Sequence, residues 1–377
     1  MDRTIVGGSS DMNEPSPSDS LDDGDGVRRR AVRIDIDASA LRHNLSLVRR
    51  RAGKARVFAV VKADAYGHGA VTVARALDDA DGFAVVTCDE AAALRRAGEK
   101  RPILVMQGVR DTADASTCRD LSLWPAVHHD SQMSHLALGD GRVQAWLKVD
   151  TGMGRLGVPP GQVTHLLANT AVEWIGVMSH FACADAPGNA HTLEQIARFD
   201  ALVLPHELDL SLGNSAAISA WPAVSRQWVR PGLMLYGANP LDGEAMPPDM
   251  PLRPVMRVSA PLISVKPMPA GTGIGYAQAY RCPEAMPVGF AAIGYADGLP
   301  RVLDERADVL LHGARCPIIG RVSMDSIAID LRRASQASVG DRVMLWGPGQ
   351  PVERLAASAG TIAYELLTGI RGHRGPA

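Results

Sequence analysis

Short apolar runs alternate with helix-like segments between about residue 31 and residue 250. Eight of these runs have the length and composition of buried strands. They are 58–61, 83–86, 103–106, 124–127, 145–149, 174–178, 208–212 and 233–236. Segments with helical spacing lie between them, such as 90–96 and 192–199, and a helix over 39–51 with Ser39 as its N-cap precedes the first strand.

This succession of elements predicts an α/β fold, a (β/α)8 TIM barrel. Eight β–α alternations in about 220 residues are typical of that barrel, whose active site lies at the carboxyl ends of its strands. Chemically capable side chains stand at those predicted ends. They are Lys62, Asp64 and Tyr66 after the first strand, Asp150 and Thr151 after the fifth, Ser179 and His180 after the sixth, Asn214 and Ser215 after the seventh, and Arg230 at the opening of the eighth.

The pattern changes after about residue 250. Prolines and glycines become frequent, and short alternating runs such as 261–265, 289–293 and 326–330 replace the helical periodicity until about 355–359. Turn signals between short alternating runs indicate β structure. We therefore predict a barrel domain over 31–250 and a mostly β C-terminal domain over 251–377, with the boundary near the proline-rich segment 247–251.

Residues 1–30 differ from both predicted domains. They hold seven acidic residues, several serines and few large apolar side chains. Such a segment cannot bury enough apolar surface to offset the entropy lost on ordering. Its basic cluster comes last and no apolar run follows the start, which is not the order of a signal peptide. We expect a disordered acidic extension without a catalytic role.

Composition narrows the class of protein further. The 377 residues are 46% hydrophobic and 21% charged, with a net charge of −2, which disfavours a nucleic-acid partner. No apolar stretch approaches the roughly 18 residues of a membrane-spanning helix. Five scattered cysteines, without CxxC pairs or a His/Cys cluster, indicate reduced thiols in a cytoplasmic protein without a metal site.

Lys62 is the first candidate for chemistry. A lysine at a barrel mouth that is partly removed from water can keep a neutral amine and form an imine with an aldehyde. A strand-end lysine that merely reaches solvent is the alternative, and it would be favoured for an isolated lysine. Here Lys62 lies within the highly specific string VVKADAYGHG, residues 60–69.

That string resembles the cofactor-attachment signature of the alanine racemases, in which the lysine carries pyridoxal 5'-phosphate as a Schiff base. Further segments resemble the same family in the family's order, from about residue 31 to the end of the chain. They are 148–155 (KVDTGMGR), 179–181 (SHF), 213–217 (GNSAA), 229–232 (VRPG), 275–276 (GY), 294–298 (GYADG), 320–325 (GRVSMD) and 364–365 (YE).

The resemblance implies roles for particular residues around the cofactor. It implies that the phosphate is held by Tyr66, Ser215, Gly232, Leu233 and Tyr364. Ser215 heads a candidate helix, and helix N-termini favour anions, although a plain N-cap is the alternative for this position.

Arg230 resembles the arginine that contacts the pyridine nitrogen, and His180 would orient it. An arginine leaves that nitrogen neutral, which weakens the electron sink and limits side reactions. A core histidine with a satisfied hydrogen bond is the alternative for His180.

Racemisation needs a base on each face of the α-carbon. By resemblance Lys62 serves one face, and Tyr276 serves the other from the partner subunit, so the active protein would be a homodimer with shared sites. A buried structural tyrosine is the alternative for Tyr276. Arg155 and the backbone N–H of Met324 would bind the substrate carboxylate. Lys148 corresponds to a lysine that is carbamylated in some members of the family.

These expectations lead to a hypothesis with stated alternatives. The chain would interconvert L- and D-alanine and so supply D-alanine for peptidoglycan. A racemase with a broader substrate range, a basic amino-acid decarboxylase and a non-catalytic protein that binds pyridoxal phosphate for homeostasis are the alternatives. Two departures from the family stand out: Ser323 replaces a cysteine found in some relatives, and the C-terminus lacks the expected apolar closing strand.

Overall fold

A computed structural model describes residues 31–203, 207–221 and 224–374. The predicted extension over residues 1–30 lies outside this range. The described chain begins with strand β1 (Arg33–Ile36), and the next eight strands form a closed parallel barrel. They are β2 (Arg56–Val60), β3 (Gly82–Val85), β4 (Ile103–Val105), β5 (Trp124–Val127), β6 (Val143–Lys148), β7 (Val172–Met178), β8 (Asp209–Asn214) and β9 (Trp228–Arg230).

Helices connect the barrel strands, as the parallel order requires. They are α1 (Ala38–Ala52), α2 (Lys62–Tyr66), α3 (Ala70–Ala76), α4 (Cys88–Arg96), α5 (Thr112–Asp120), α6 (Ser131–Leu136), α7 (Val163–Leu167), α8 (Ala190–Val203) and α9 (Ser215–Ala220). Large aromatic side chains fill the barrel interior. Phe58, Trp146 and Trp228 are fully buried, and the rings of Phe58 and Trp228 stack with centroids 3.8 Å apart.

The C-terminal part is an antiparallel β domain. Its elements are β10 (Met256–Met268), β11 (Gly273–Ile274), β12 (Tyr280–Arg281), β13 (Met286–Ala291), β14 (Asp308–Leu311), β15 (Ala314–Ile319), β16 (Ile327–Asp330), β17 (Arg342–Trp346), α10 (Val352–Ser358), α11 (Ala363–Gly369) and β18 (His373–Arg374). The main sheet has the order β13-β16-β15-β14-β17-β10-β1-β18, and β10 also pairs with β13. The predicted fold class, a barrel followed by a β domain, is confirmed.

Both ends of the described chain join this second sheet. β1 pairs with β10 in antiparallel register, Arg33 opposite Ser259, and β18 adds to the outer edge of β1 in parallel. The C-terminal sequence lacks the apolar closing strand that we expected there. The structure closes the chain with the two polar residues His373 and Arg374, which pair through their backbone, so an apolar sequence is not required there.

Two sequence predictions about barrel elements are wrong in detail. The eighth strand was predicted over 233–236, but Trp228–Arg230 forms it and Leu233–Tyr236 is a buried 3-10 helix. A short apolar run fits a buried helix as well as a strand. The N-cap of α1 is Asp37 and not Ser39, because the Asp37 carboxylate accepts hydrogen bonds from the N–H groups of Ser39 and Ala40.

Candidate active site

Lys62 is the first residue of α2, and Val61 alone separates it from the end of β2, at the carboxyl end of the barrel. Its side chain is half-buried. Burial and the positive charge of Arg155 lower the pKa of its amine, and Glu90 opposes part of that effect. A lowered pKa favours the neutral amine, which is the form that can act as a nucleophile or accept a proton. The position and the charge state both suit the predicted role of Lys62.

The turn that carries Lys62 has an uncommon backbone. Helical hydrogen bonding continues through α2, but Ala63, Asp64, Ala65 and Tyr66 have φ angles between 51° and 54°. They form one turn of left-handed helix, a conformation that residues with a Cβ rarely adopt in succession. Glu90 stabilises its start, since the Glu90 carboxylate accepts a hydrogen bond from the N–H of Ala63 at 2.7 Å.

Three further basic side chains, those of Arg155, Lys148 and His180, lie within electrostatic reach of this lysine. Lys148 is buried at the end of β6, and burial together with the charges of Arg230, Arg155 and Lys62 lowers its pKa to about 8. His180 has its pKa held well below the usual range by burial and by the same cations. Such a concentration of positive charge at a barrel mouth suits a ligand that bears phosphate and carboxylate groups.

Arg230 is buried at the end of β9. Its side chain is held by Ser211 of β8 and by Ser179, which follows β7. Its Nη1 donates to Ser211 Oγ and its Nη2 donates to the carbonyl of Ser179, both at 2.5 Å. Burial lowers its pKa to about 10, so the guanidinium keeps its proton at neutral pH. In the described chain no hydrogen bond joins the His180 ring to Arg230, and the orienting role of His180 stays a prediction.

The residues predicted to hold a phosphate lie together beside Lys62. A Cβ added to Gly232 would come within 2.4 Å of Tyr66 Oη, so only glycine allows this close approach. Ser215 Oγ accepts hydrogen bonds from the N–H groups of Gly232 and Met234, at 2.8 and 3.3 Å. The Tyr364 ring lies 5.8 Å from the Tyr66 ring, which brings α11 of the β domain to the barrel mouth.

Tyr276 and Met324 belong to the β domain and are exposed, Tyr276 over 67% and Met324 over 53% of their surface. Tyr276 lies on a 3-10 turn between β11 and β12 and makes no hydrogen bond within the described chain. Both side chains are therefore accessible to a neighbouring molecule, and no described hydrogen bond or ring contact joins either of them to Lys62 of the same chain. Arg155 is also exposed, beside a cavity of about 700 Å³ that His128 and Gln132 help to line.

Sequence reasoning did not identify several residues that shape this site. Ser211, His68, Tyr236 and Glu90 were not assigned roles there. Ser211 could have been noticed as a polar residue inside an apolar strand, and Glu90 as the last residue of a Thr87-x-x-Glu90 capping box. The bond of Tyr236 to Val60 depends on the tertiary structure, and the bonds of His68 to Ala65 and Tyr66 depend on a left-handed turn that the local sequence does not predict.

Two other kinds of site were sought within the described residues. In that part of the chain no group of three or more His, Cys, Asp or Glu side chains is arranged to hold a metal ion. No described helix has both the length and the apolar composition needed to span a membrane.

A closed barrel with a half-buried lysine at its mouth, joined to an antiparallel β domain, defines a two-domain barrel enzyme with a lysine-based active site. Two family models match the chain: "Alanine racemase, N-terminal domain" over residues 36–240 and "Alanine racemase, C-terminal domain" over residues 255–376. The chain belongs to the alanine racemase family, and the predictions of the family and of an enzyme are confirmed.

Curated relatives and solved structures agree with this assignment. The chain is 46% identical over 353 residues to the alanine racemase of Thioalkalivibrio sulfidiphilus, covering 91% of this chain and 98% of the relative. The biosynthetic alanine racemase of Pseudomonas aeruginosa superposes with a TM-score of 0.87 at 38% identity, covering 92% and 99%. The Bartonella henselae alanine racemase, described with covalently bound pyridoxal phosphate, gives 0.83 at 28% identity, covering 92% and 99%.

Proposed function

We propose that the protein interconverts L- and D-alanine with pyridoxal 5'-phosphate, as a cytoplasmic homodimer that supplies D-alanine for peptidoglycan. The single observation that carries this proposal is the state of Lys62. It is half-buried at a barrel mouth, its pKa is lowered, and the cationic side chains of Arg155 and Lys148 lie within electrostatic reach of it. This is the environment that a covalent amine and a proton acceptor both require.

The residues present fit this cofactor. Hydroxyls of Tyr66, Ser215 and Tyr364 and the backbone at Gly232 and Leu233 are hydrogen-bond donors suited to a phosphate, and the close approach at Gly232 leaves no room for a larger residue. Lys62 would hold the aldehyde carbon. When bound, pyridoxal phosphate supplies an electron sink that stabilises negative charge at the α-carbon of an amino acid.

Arg230 would donate a hydrogen bond to the pyridine nitrogen. With a pKa of about 10 the guanidinium stays protonated at neutral pH, and as a cation it has no proton-accepting atom to offer. The pyridine nitrogen would therefore stay neutral. A neutral nitrogen makes the cofactor ring a weaker electron sink. A weaker electron sink favours return of the proton to the α-carbon over side reactions, which suits a racemase.

Lys62 and Tyr276 would exchange protons with the two faces of the α-carbon. Lys62 Nζ accepts the proton on one face, because its lowered pKa provides a neutral amine. Tyr276 Oη would act on the other face from the partner subunit. Its side chain is largely exposed and free of hydrogen bonds within its own described chain, as expected for a group that completes a neighbouring site.

The substrate carboxylate would be bound by the Arg155 guanidinium and by the Met324 N–H of the partner. A guanidinium fork is suited to a carboxylate. Tyr295 and Tyr364, which are 39% and 38% exposed, would narrow the entrance and favour a side chain as small as a methyl group.

The test is a racemisation assay on the protein purified with added pyridoxal phosphate. L-Alanine should yield D-alanine, measured by chiral chromatography, and Tyr276→Phe should lower kcat by roughly 10²- to 10⁴-fold because one base is lost. If the protein loads the cofactor but racemises serine, lysine or arginine in preference to alanine, that amino acid would replace alanine as the proposed substrate. Cofactor binding with no racemisation of any amino acid would contradict it.

A further inference from the structure

The left-handed turn after Lys62 needs external restraint to persist. Four successive residues with side chains occupy a region that L-residues avoid, and such backbone persists only where surrounding contacts over-determine it. Its own hydrogen bonds run from the N–H of Ala65 to Val61 and from the N–H of Gly67 to Ala63, at 2.9 and 3.0 Å. The same hydrogen bonds would be available to other compact turns, so they do not favour the left-handed backbone over the right-handed one.

His68 contacts the far end of this turn. Its Nδ1 lies 2.9 Å from the carbonyl oxygen of Ala65 and 2.9 Å from that of Tyr66. Because both partners are carbonyl oxygens and can only accept, Nδ1 carries the proton and is shared between them. One ring nitrogen thus bonds two successive carbonyls of the left-handed segment and fixes the direction in which both point.

The surroundings of His68 keep the ring neutral and immobile. The side chain is 1% exposed, and its Nε2 has no hydrogen-bond partner in the described structure, so a second proton there would be unsatisfied. Burial lowers the pKa of its imidazole to about 4. The backbone carbonyls and Asp64 oppose this shift, and Arg374 adds to it. The ring packs 4.4 Å from the ring of Tyr236.

Tyr236 connects His68 to the strand that leads into Lys62. Its hydroxyl donates to the carbonyl of Val60 at 2.8 Å, two residues before the lysine, and its ring lies 4.8 Å from that of Tyr66. The His68–Tyr236 pair therefore contacts the chain on both sides of Lys62.

We propose that His68 is a positioning residue, whose Nδ1–H holds the left-handed turn and thereby sets the placement of Lys62 and Tyr66. This inference rests on the proposed function for the identity of the ligand, but not for the geometry of the turn. His68 touches neither substrate nor cofactor. It acts by keeping the lysine amine and the Tyr66 hydroxyl in one arrangement before the cofactor enters.

A matched pair of variants separates the hydrogen bond from the packing of the ring. In His68→Asn the side-chain amide nitrogen takes the place of Nδ1, so a donor remains. His68→Leu has nearly the same shape as asparagine and no donor. Both variants lose the contact with Tyr236 equally, so any difference between them reports the bond to the two carbonyls.

The first readout is amide hydrogen exchange in the protein freed of cofactor. The N–H groups of Ala65, Gly67, His68 and Gly69 are all bonded within or next to the turn and report its opening. We expect His68→Leu to speed their exchange about tenfold or more relative to His68→Asn, the change that loss of one buried hydrogen bond produces. If the leucine variant does not fold, His68→Gln replaces it, since its amide lies one bond too far out to reach both carbonyls.

The second readout is the dissociation constant for pyridoxal phosphate, followed by absorbance. His68→Leu should weaken binding about tenfold or more while His68→Asn stays within about threefold of the unaltered protein. Equal exchange rates and equal affinities in the two variants would overturn the positioning role, because ring packing alone would then explain His68.

The two proposals fail in different ways. If the unaltered protein made no D-alanine, the proposed function would fall, yet the exchange comparison in the cofactor-free protein would still decide the role of His68. If the protein racemised alanine but the asparagine and leucine variants behaved alike, only the positioning role would fall.

Discussion

Arg230 illustrates how a single buried charge is kept in place by neutral neighbours. Among the described residues no carboxylate accepts a hydrogen bond from its guanidinium; a hydroxyl and a carbonyl accept from it instead. Ser211 in turn donates to the carbonyl of Trp228 at 2.9 Å, so its remaining lone pairs face Arg230. The hydroxyl of Ser211 therefore fixes the orientation of the donor that would meet the cofactor.

Replacing Ser211 by alanine should disturb that donor. A buried guanidinium N–H would lose its acceptor, at a cost of about 1–3 kcal/mol, and Arg230 would reorient. We expect Ser211→Ala to lower kcat about tenfold and to shift the absorbance of the bound cofactor. Ser358→Ala is the control, since Ser358 is equally buried but donates to Leu355 in the β domain. Unchanged absorbance and kcat in Ser211→Ala would refute this role.

Lys148 makes the stability of the cofactor-free protein depend on pH. Its folded-state pKa of about 8 lies below the ordinary value of 10.5, so the folded state releases the proton first and gains stability as pH rises from about 8 towards 10. Below pH 8 Lys148 is protonated in both the folded and the unfolded state, so the folded protein bears the whole free-energy cost of the buried charge. Lys148→Met should therefore be more stable at pH 7, by up to about 3 kcal/mol.

The measurement is urea unfolding of both proteins between pH 7 and 9.5 in buffers free of carbon dioxide, which keep the lysine as an amine. The stability advantage of Lys148→Met should shrink as the pH rises through 8. An advantage that stays constant across this range would show that the Lys148 charge is not penalised by burial.

At the scale of elements, the left-handed turn and α11 pack backbone against backbone. Gly67 follows the turn with φ of 79°, and a Cβ there would come within 2.2 Å of the carbonyl oxygen of Leu367 in α11. Because neither partner is a flexible side chain, a larger residue would separate α11 and Tyr364 from the barrel mouth.

Gly67→Ala should therefore destabilise the protein by about 3 kcal/mol and weaken cofactor binding. Gly313→Ala is the matched control: Gly313 has the same φ of 79° in the turn between β14 and β15, but nothing lies within 4 Å of its added Cβ. Its cost should be only about 1 kcal/mol. Denaturant unfolding of both variants measures the difference, and equal costs would contradict the packing argument.

The elements also show which parts of the fold sequence patterns can predict. Seven barrel strands were predicted at or within a few residues of their positions, because fully buried parallel strands are continuous apolar runs. The eighth was displaced to 233–236, where an equally apolar run is helical. β1 escaped prediction because Arg33–Ile36 is only four residues long and is paired only with strands more than 200 residues away.

For the site, the local string around Lys62 and the strand-end residues predicted the candidates, and their roles stay predictions. The residues that hold them, such as Ser211, His68 and Tyr236, were missed. Ser211 and Tyr236 act through contacts that the fold creates between distant segments. His68 bonds carbonyls only two and three residues before it, but no local pattern predicts the left-handed turn that brings them to its ring.

At the scale of the whole molecule, one chain does not complete the proposed site. Apolar side chains stand exposed on the described surface of the β domain, among them Tyr276, Met324 and Ile362, the last over 61% of its surface. Exposed apolar groups mark an interaction surface where they form one continuous patch. A two-fold dimer would let each β domain cover the barrel mouth of its partner.

This arrangement leads to the most direct test of the account. Lys62→Ala and Tyr276→Phe subunits, each inactive or nearly so alone, are unfolded, mixed in equal amounts, refolded with pyridoxal phosphate and assayed for D-alanine from L-alanine. Random pairing gives one intact site in each mixed dimer, so the mixture should recover about one quarter of the unaltered activity. A mixture no more active than its two components would contradict a racemase site shared between two subunits.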